Sequence, residues 1–578
     1  MAEVVIEHSS QKSMRRRRFK VEAGLIFCTL ILAALLIVIV YPLGLLVINS
    51  FIVTLPDGTE QIGFGNWTMA LFQAGLLESI VNTFNRVIVT TILVFPIGIF
   101  ISWLITRTDL PGKEYLDFFM WLAFFLPTLP ILMGWILLLE PDFGLINQII
   151  TSWFGLEKGP FNIYSFWGIV WAHIVIRGVA ATYIFLTPAF RNLDSSYEEA
   201  SRISGRSIMG TILRIVVPVM TPAILITLII SLIHSLESFE IEKVLGGPTG
   251  FYVFSTKIYE LISEAQPQFG AATVLSLVIL VAMLPLILFQ QYFNSRKRFT
   301  TVTSHFKRNI VRLGTMKWPA FIFVFGFSFF VTVVPIIFMV MGTFMNLFGF
   351  FDIEKVWTLD HWKRILQDPI LIKSLWNTVI LAGSAALIGM VLYTLLAYIS
   401  VRSKYIGRGI IDFLTWLPAA IPGIILGLGL LWMFLGTPVF RPLYGTIFIL
   451  IIAVLINSMT TGVQLIKSNM VQLGSELEEA SSISGGSWLY TFRRIIMPIL
   501  APVLLSVGTL TFISASRNVA NIAMIVTGEN RPIAMLQLDY MVDGNYEAAG
   551  IAGVFVVILT IGVALIAKWL GKRMGIRI

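Results

Sequence analysis

Twelve apolar stretches divide this chain, each long enough to cross a bilayer as a helix. They lie near residues 23–49, 80–105, 117–139, 165–189, 219–244 and 270–293, and again near 317–345, 375–401, 411–436, 445–467, 499–527 and 549–570. About 20 apolar residues span the hydrocarbon core in helical form. The pattern predicts an all-α polytopic membrane protein. The polar segments between stretches carry a second pattern. Residues 197–222 read YEEASRISGRSIMGTILRIVVPVMTP and residues 477–502 read LEEASSISGGSWLYTFRRIIMPILAP. At a constant offset of 280 they are identical at 13 of 26 positions. Loops are normally free to diverge, so a polar segment kept in two copies predicts a docking element used twice.

The repeat extends beyond that segment. Asn82-Thr83 and Asn377-Thr378 open the second helix of each half, and Arg107 and Arg402 follow it. Leu126-Pro127 and Leu417-Pro418 fall in the third helix, with Pro130 and Pro422 nearby. Gly270-Ala271-Ala272 and Glu547-Ala548-Ala549 precede the last helix. The offset drifts between 277 and 295, as loops of changing length require. The chain reads as a tandem duplication of a six-helix unit. The expected domains are a basic N-terminal segment at 1–22, a first six-helix domain at 23–294, a basic linker at 295–316 and a second six-helix domain at 317–578. An even number of helices per unit makes the repeats parallel, related by an axis along the membrane normal.

Composition agrees. Of 578 residues, 57% are hydrophobic and 13% charged, against about 25% charged in a soluble protein. The net charge of +9 fits positively charged loops gathered on one membrane side, and argues for lipid-facing loops rather than nucleic acid. Arg15 to Arg18, Arg107, Lys113, the 191–214 and 467–494 loops, the linker, Arg402, Lys404, Arg408, Lys568, Lys572 and Arg573 share that side. Residues 51–79 hold Asp57, Glu60 and Glu78 and no Lys or Arg. Both termini and both repeated segments are therefore expected in the cytoplasm. The stretch after Arg15–Arg18 is long enough to span and is read as a retained helix, not a cleaved leader. Cys28, the single cysteine, excludes an intrachain disulfide and a Cys-x-x-Cys metal pair.

Within the repeated segment, Ser195 precedes Glu198 by three residues, Ser196 precedes Glu199, and Ser475 precedes Glu478. This is the spacing of a capping box, and carboxylates suit the positive end of a helix. A short helix carrying Ala200 and Ile203, or Ala480 and Ile483, should end at Gly205 or Gly485, because glycine tolerates the left-handed C-cap conformation. A second short helix should lead to Pro218 or Pro498. Such a unit can dock in a partner's groove or lie on the lipid surface. The shared Glu, Ala, Gly and Pro spacing favours docking.

The spacing E-A-x-x-x-x-G with a proline 13 residues on resembles the EAA loop of type I ABC-importer permeases. Glu199, Ala200, Gly205 and Pro218 match it in the first half, and Glu479, Ala480, Gly485 and Pro498 in the second. Ser201 and Ser481 stand where that family usually has Ala. The resemblance implies two tandem MetI-like domains and coupling helices that include Glu198 and Glu478. It further implies two copies of a separate ATPase subunit that carries ATP and magnesium, a periplasmic substrate-binding protein, and residence in a bacterial inner membrane. This chain has no G-x-x-x-x-G-K-[ST] phosphate loop, so it is expected neither to hydrolyse ATP nor to hold a cofactor. Ser238-Phe239-Glu240, Leu245-Gly246-Gly247-Pro248, Thr256-Lys257-Ile258-Tyr259, Arg531-Pro532 and Leu536-Gln537-Leu538-Asp539-Tyr540 resemble the fused, double-length ferric iron permeases. That branch shares its architecture with thiamine and aminoethylphosphonate permeases, so ferric iron is the expected cargo and the other two are alternatives.

Ionisable residues near spans are candidate path residues. His234, Glu237, Glu240 and Glu242 end the fifth helix, and the offset of 280 pairs Glu237 with Arg517. Glu237, Glu240 and Arg517 are candidates for the translocation path or a gate, the other reading being charges at the water and headgroup boundary. His173 and Arg177, one turn apart, lack a further ligand at metal spacing, and no metal site is expected. A major-facilitator-type secondary transporter also has two parallel six-helix halves. It would lack the paired loops, and the segment RTDLPGK does not match its basic motif. A membrane enzyme would need converging catalytic side chains, whereas the five histidines scatter at 8, 173, 234, 305 and 361.

Overall fold

A computed structural model describes residues 24–54, 57–72, 75–194, 201, 203–205, 207–296 and 310–573. In the first half, α1 (Gly24–Phe51) leads into a hairpin of β1 (Ile52–Thr54) and β2 (Glu60–Ile62). Next come α2 (Leu76–Arg107), α3 (Lys113–Phe125), α4 (Thr128–Leu139), α5 (Leu145–Phe154) and α6 (Phe166–Arg191). They are followed by α7 (Ile212–Leu236), α8 (Glu240–Gly246), α9 (Phe254–Ser263) and α10 (Phe269–Arg296). The second half repeats the order with α11 (Lys317–Gly342), α12 (Pro369–Arg402), α13 (Arg408–Ala420), α14 (Gly423–Gly436) and α15 (Ile447–Met470). It closes with α16 (Glu476–Ile483), α17 (Trp488–Ile499), α18 (Ala501–Ser516), α19 (Ile533–Val542) and α20 (Tyr546–Arg573). Among the described residues, nine helices are long and apolar enough to cross a membrane. Three further spans are bent pairs: α3–α4 by 100°, α13–α14 by 114° and α17–α18 by 78°.

The third span of each half is thus broken, where the sequence reads one continuous helix. Proline has no N–H and pushes the residue before it out of the helical region. Leu126 and Ile421 are extended, with ψ of 141° and 117°, and Pro127 and Pro422 follow as the caps of α4 and α14. The equivalent breaks are therefore Pro127 and Pro422. Pro418, which the Leu-Pro repeat pairs with Pro127, sits in a 3-10 turn one step earlier. The fifth and eleventh spans also end sooner than their apolar runs, at Leu236 and Ser516, because Glu237 and Arg517 turn the chain into short re-entering segments.

The first helix of each half lies against the other half. α11 packs on α4, and α1 packs on α14. Both crossings depend on a glycine. A Cβ on Gly134 would stand 2.1 Å from the Pro335 carbonyl oxygen, and one on Gly429 would stand 3.1 Å from Pro42 Cβ. Small residues at such contacts let helix backbones approach closely in lipid. The Asn-Thr repeats act alike as well. Thr83 Oγ1 accepts from the Phe254 N–H at 2.9 Å, and Thr378 Oγ1 accepts from the Ile533 N–H at 2.8 Å. Asn82 Nδ2 donates to the Tyr252 carbonyl, and Asn377 Nδ2 to the carbonyls of Glu529 and Arg531. Each pair thereby ties the start of α9 or α19 to the second helix of its half.

One buried network has no counterpart in the second half. Glu242 Oε1 lies 3.0 Å from Arg86 Nε and 2.7 Å from His173 Nε2, and Ser238 Oγ donates to Oε2 at 2.7 Å. Arg86 also donates to the Ser235 hydroxyl and carbonyl at 2.6 and 2.7 Å. Arg86 and Glu242 are wholly buried. The repeat places Leu381 and Ile522, both buried, at the positions of Arg86 and Glu242. Breaking a buried ion pair costs about 3–5 kcal/mol, whereas replacing all partners by well-packed apolar groups is often neutral. Glu242→Ile alone is expected to lower the thermal midpoint of the detergent-solubilised protein sharply. The triple change Arg86→Leu, His173→Ala, Glu242→Ile should recover most of the loss.

Candidate functional site

Where residues of both are described, the two repeated segments build the same corner. In the second copy α16 ends at Gly485, whose φ of +81° is left-handed, and Gly205 has φ +75° in the first. Ser481 and Thr491 hydroxyls lie 2.7 Å apart, and Ser201 and Thr211 hydroxyls 2.8 Å apart, all four residues buried. The serines that depart from the usual Ala thus hold the two short helices together. Past the corner, π-turns at Ile212–Val216 and Phe492–Ile496 precede Pro218 and Pro498. A wide turn there accommodates the missing proline N–H.

The outer surface of this corner is apolar. Leu477, Ala480 and Ile483 recur at three-residue spacing and are exposed, Ile483 at 86%, and Ile203 in the first copy is 88% exposed. Glu198, Glu199 and Ala200, expected in the first coupling helix, lie outside the described residues. Glu479, Ala480, Gly485 and Pro498 all fall on the second corner. The expected capping box at Ser475 does not form. Ser475 has helical φ and ψ and makes no side-chain cap bond, its hydroxyl donating instead to Glu479 Oε1 at 3.0 Å. Glu478 is drawn away by stronger partners. Arg402 Nε lies 3.2 Å from its Oε1, and the Tyr398 hydroxyl donates to its Oε2 at 2.9 Å. Arg402 also donates to the Leu473 carbonyl, as Arg107 does to the Leu193 carbonyl at 2.8 Å. The arginine closing the second helix of each half therefore anchors the chain that leads into the corner.

The second constellation surrounds the break between α3 and α4. Arg517 Nη1 donates to the carbonyls of Phe125 and Leu126 at 2.9 and 3.3 Å. These are the free carbonyls of a helix end, which carries partial negative charge. Glu240 stands near the hydroxyl of Thr128, the first residue of α4, where the helix end is positive. A cation from the second half thus caps one end of the break, and an anion from the first half stands near the other. The sequence offset pairs Glu237 with Arg517; the field at Arg517 comes from the like charge of Arg177 and the opposite charge of Glu240. Glu237 interacts with Arg177, whose guanidinium also stands 5.1 Å over the Phe124 ring. In the second half the corresponding break is neutral, and Asn457 Nδ2 donates to Asn521 Oδ1 at 3.2 Å. Among the described residues no group of three His, Cys, Asp or Glu side chains comes together at a metal-binding spacing.

A family model described as the binding-protein-dependent transport system inner membrane component matches residues 110–299 and 389–576. The chain belongs to that family. Each match begins before the broken helix and runs through the corner to the last span, so both halves of this importer permease belong to the family along their broken helix and repeated segment. A ferric transport system permease of Actinobacillus pleuropneumoniae is 27% identical over 84% of this chain and 69% of its own length. A Haemophilus influenzae Fe(3+)-transport system permease is 23% identical over 90% of this chain and 94% of its own. The molybdenum transport permease of Escherichia coli is 26% identical over 33% of this chain and 82% of its own. A solved bacterial alginate importer matches 49% of this chain and 97% of its own chain, at 23% identity and a TM-score of 0.40.

Sequence reasoning missed the roles of Arg86, Thr128, Tyr398, Gly134 and Gly429 in this permease. Arg86 alone had a readable signal, as an ionisable residue inside a span. Arg517→Met is expected to insert normally but to leave the carbonyls of Phe125 and Leu126 without their donor. The cost should be about 1–3 kcal/mol, seen as a lower thermal midpoint in detergent, with Arg517→Lys recovering part of it.

Proposed function

We propose that this permease imports ferric iron by alternating access. A periplasmic binding protein would deliver the cargo to the outer face, and two copies of a separate ATPase, holding ATP and magnesium, would dock on the two corners from the cytoplasm. The observation that carries the reading is the duplicated corner, locked by Ser201–Thr211 and Ser481–Thr491 and presenting bare isoleucines. An apolar helical face of that size, closed by its own hydrogen bonds, suits a groove in a partner. The linker supports the sidedness. Val311 pairs with Thr108, and the Val311 N–H donates to the Arg107 carbonyl at 2.9 Å. The linker therefore lies on the same face as the basic end of α2, the face assigned to the cytoplasm together with both termini.

Nucleotide-driven closure of the ATPase pair would move the corners together, and α7 and α17–α18 would carry that movement to Glu237, Glu240 and Arg517 at the broken helix. Iron as cargo is supported by the ferric permeases that align along most of the chain. Radio-iron uptake in cells with and without this gene tests it, with unlabelled thiamine and aminoethylphosphonate as competitors. Uptake should be lost with the gene and indifferent to both competitors. Unchanged iron uptake would move the cargo to another solute and leave the importer in place.

The docking reading has its own test. Gly205 and Gly485 have open space around them, but their φ values disfavour any side chain. Replacing both by leucine should leave the protein inserted and abolish cargo-stimulated ATP hydrolysis by the complex. Full hydrolysis and uptake in that variant would remove the corners from the coupling path.

A further inference from the structure

The second corner carries a cluster of aromatic rings. Trp488, the first residue of α17, stacks on Phe492 with ring centres 5.3 Å apart. Tyr398 of α12 meets Trp488 edge-on at 5.7 Å, and its hydroxyl donates to Glu478 of α16. The repeat has Ile208 and Ile212 at the positions of Trp488 and Phe492, so ring stacking at these positions belongs to one corner. Trp488 also reaches across the halves. Its ring centre lies 6.2 Å from that of Phe27, tilted by 57°, at the start of α1. Aromatic pairs at such distances attract beyond the area they bury.

α1 carries this contact to the second broken span. The Thr29 hydroxyl lies 3.2 Å from that of Tyr405, in the short turn that leads into α13. Further along α1, Pro42 packs on Gly429 of α14. The Tyr41 hydroxyl lies 2.9 Å from that of Thr437, the residue that follows α14. One helix of the first half thus straps the 114° break, touching the chain just before α13 and just after α14. Its cytoplasmic end rests on the second corner.

We propose that Trp488 is a positioning residue of the transport cycle, through which the second corner grips Phe27 and steers α1 against both arms of the α13–α14 break. The first corner has isoleucines at these positions and acts without the aromatic grip, so the two corners are unequal in what they move. The proposal rests on the docking and alternating-access reading above. Trp488 is itself exposed, so an ATPase docked on the corner could also touch it. Phe27 separates the two roles, because it lies on α1 and not on the corner.

The test uses the whole complex of permease, ATPase and binding protein in proteoliposomes, with radio-iron uptake and ATP hydrolysis read together. Trp488→Ile gives the second corner the residue of the first. It should leave the ATPase bound and lower uptake per ATP hydrolysed by roughly two- to ten-fold, the range that loss of an aromatic pair supports. Trp488→Phe should recover most of the ratio. Phe27→Leu should reproduce the loss with the corner unaltered, and it covers the case in which Trp488→Ile fails to assemble. Both changes break one contact, so the double variant should be no worse than either single one. A native ratio in Phe27→Leu, or single losses that multiply in the double variant, overturns the proposal. Loss of bound ATPase in Trp488→Ile beside a native Phe27→Leu overturns it too, and makes Trp488 a docking contact. Failure of the docking reading is separately visible, because the double glycine variant, in which Phe27 and Trp488 are native, would then keep full hydrolysis.

Discussion

A helix interrupted inside a bilayer has to satisfy the backbone groups it frees, because hydrocarbon offers no hydrogen bonds. That requirement organises this permease. The α3–α4 break leaves carbonyls at Phe125 and Leu126 and a helix start at Thr128, and the chain answers with Arg517 from the far half and Glu240 from the near one. The donor to those carbonyls belongs to a segment that follows the eleventh span, directly downstream of the second corner. The backbone of the first half is thus completed by a side chain whose position depends on the second half. Any motion of α18 therefore changes how well the break is capped.

Duplication has kept some features and released others, and the division is physical. Kept in both halves are the arginine that anchors the approach to the corner, the Ser–Thr bond that locks it, the positive-φ glycine, the Asn-Thr anchors and the glycine at each helix crossing. All of these set backbone geometry that a two-fold partner or a two-fold crossing would need twice. Differing between halves are the charges. At the repeat positions of Arg86 and Glu242 stand Leu381 and Ile522, at that of Arg177 stands Asn457, and at that of Lys243 stands Ala523. The symmetric residues set backbone geometry, and the asymmetric ones set the charge of the interior.

The fold was largely legible because spans and loops differ so strongly in polarity, and the corner was legible because its residues recur. Its internal chemistry was less so. Ser481 reads as a small departure from Ala until its hydroxyl is seen against Thr491, and Ser475 reads as a cap until Glu478 is seen held by Arg402 and Tyr398. The broken spans were hidden because Leu126-Pro127-Thr128 interrupts geometry without interrupting apolarity. Gly134 and Gly429 gave no signal because the atoms that require them, at Pro335 and Pro42, belong to the opposite half. Offsets located Arg517 beside the broken helix but not the carbonyls of Phe125 and Leu126 that it caps, since a linear repeat does not record which groups meet across an axis.

The exchange of first helices has a consequence for how the chain matures. α4 is buried along nearly its whole length, and the largest share of its cover comes from α11, which leaves the ribosome only after the entire first half and the linker. During synthesis the first six-helix unit must therefore wait in the bilayer with its broken helix only partly covered, while α1, already against α10, waits for α14. Covalent fusion shortens that wait to the time needed to translate the next helix. It makes the encounter intramolecular, so the first half meets its own second half before any other chain can supply a substitute.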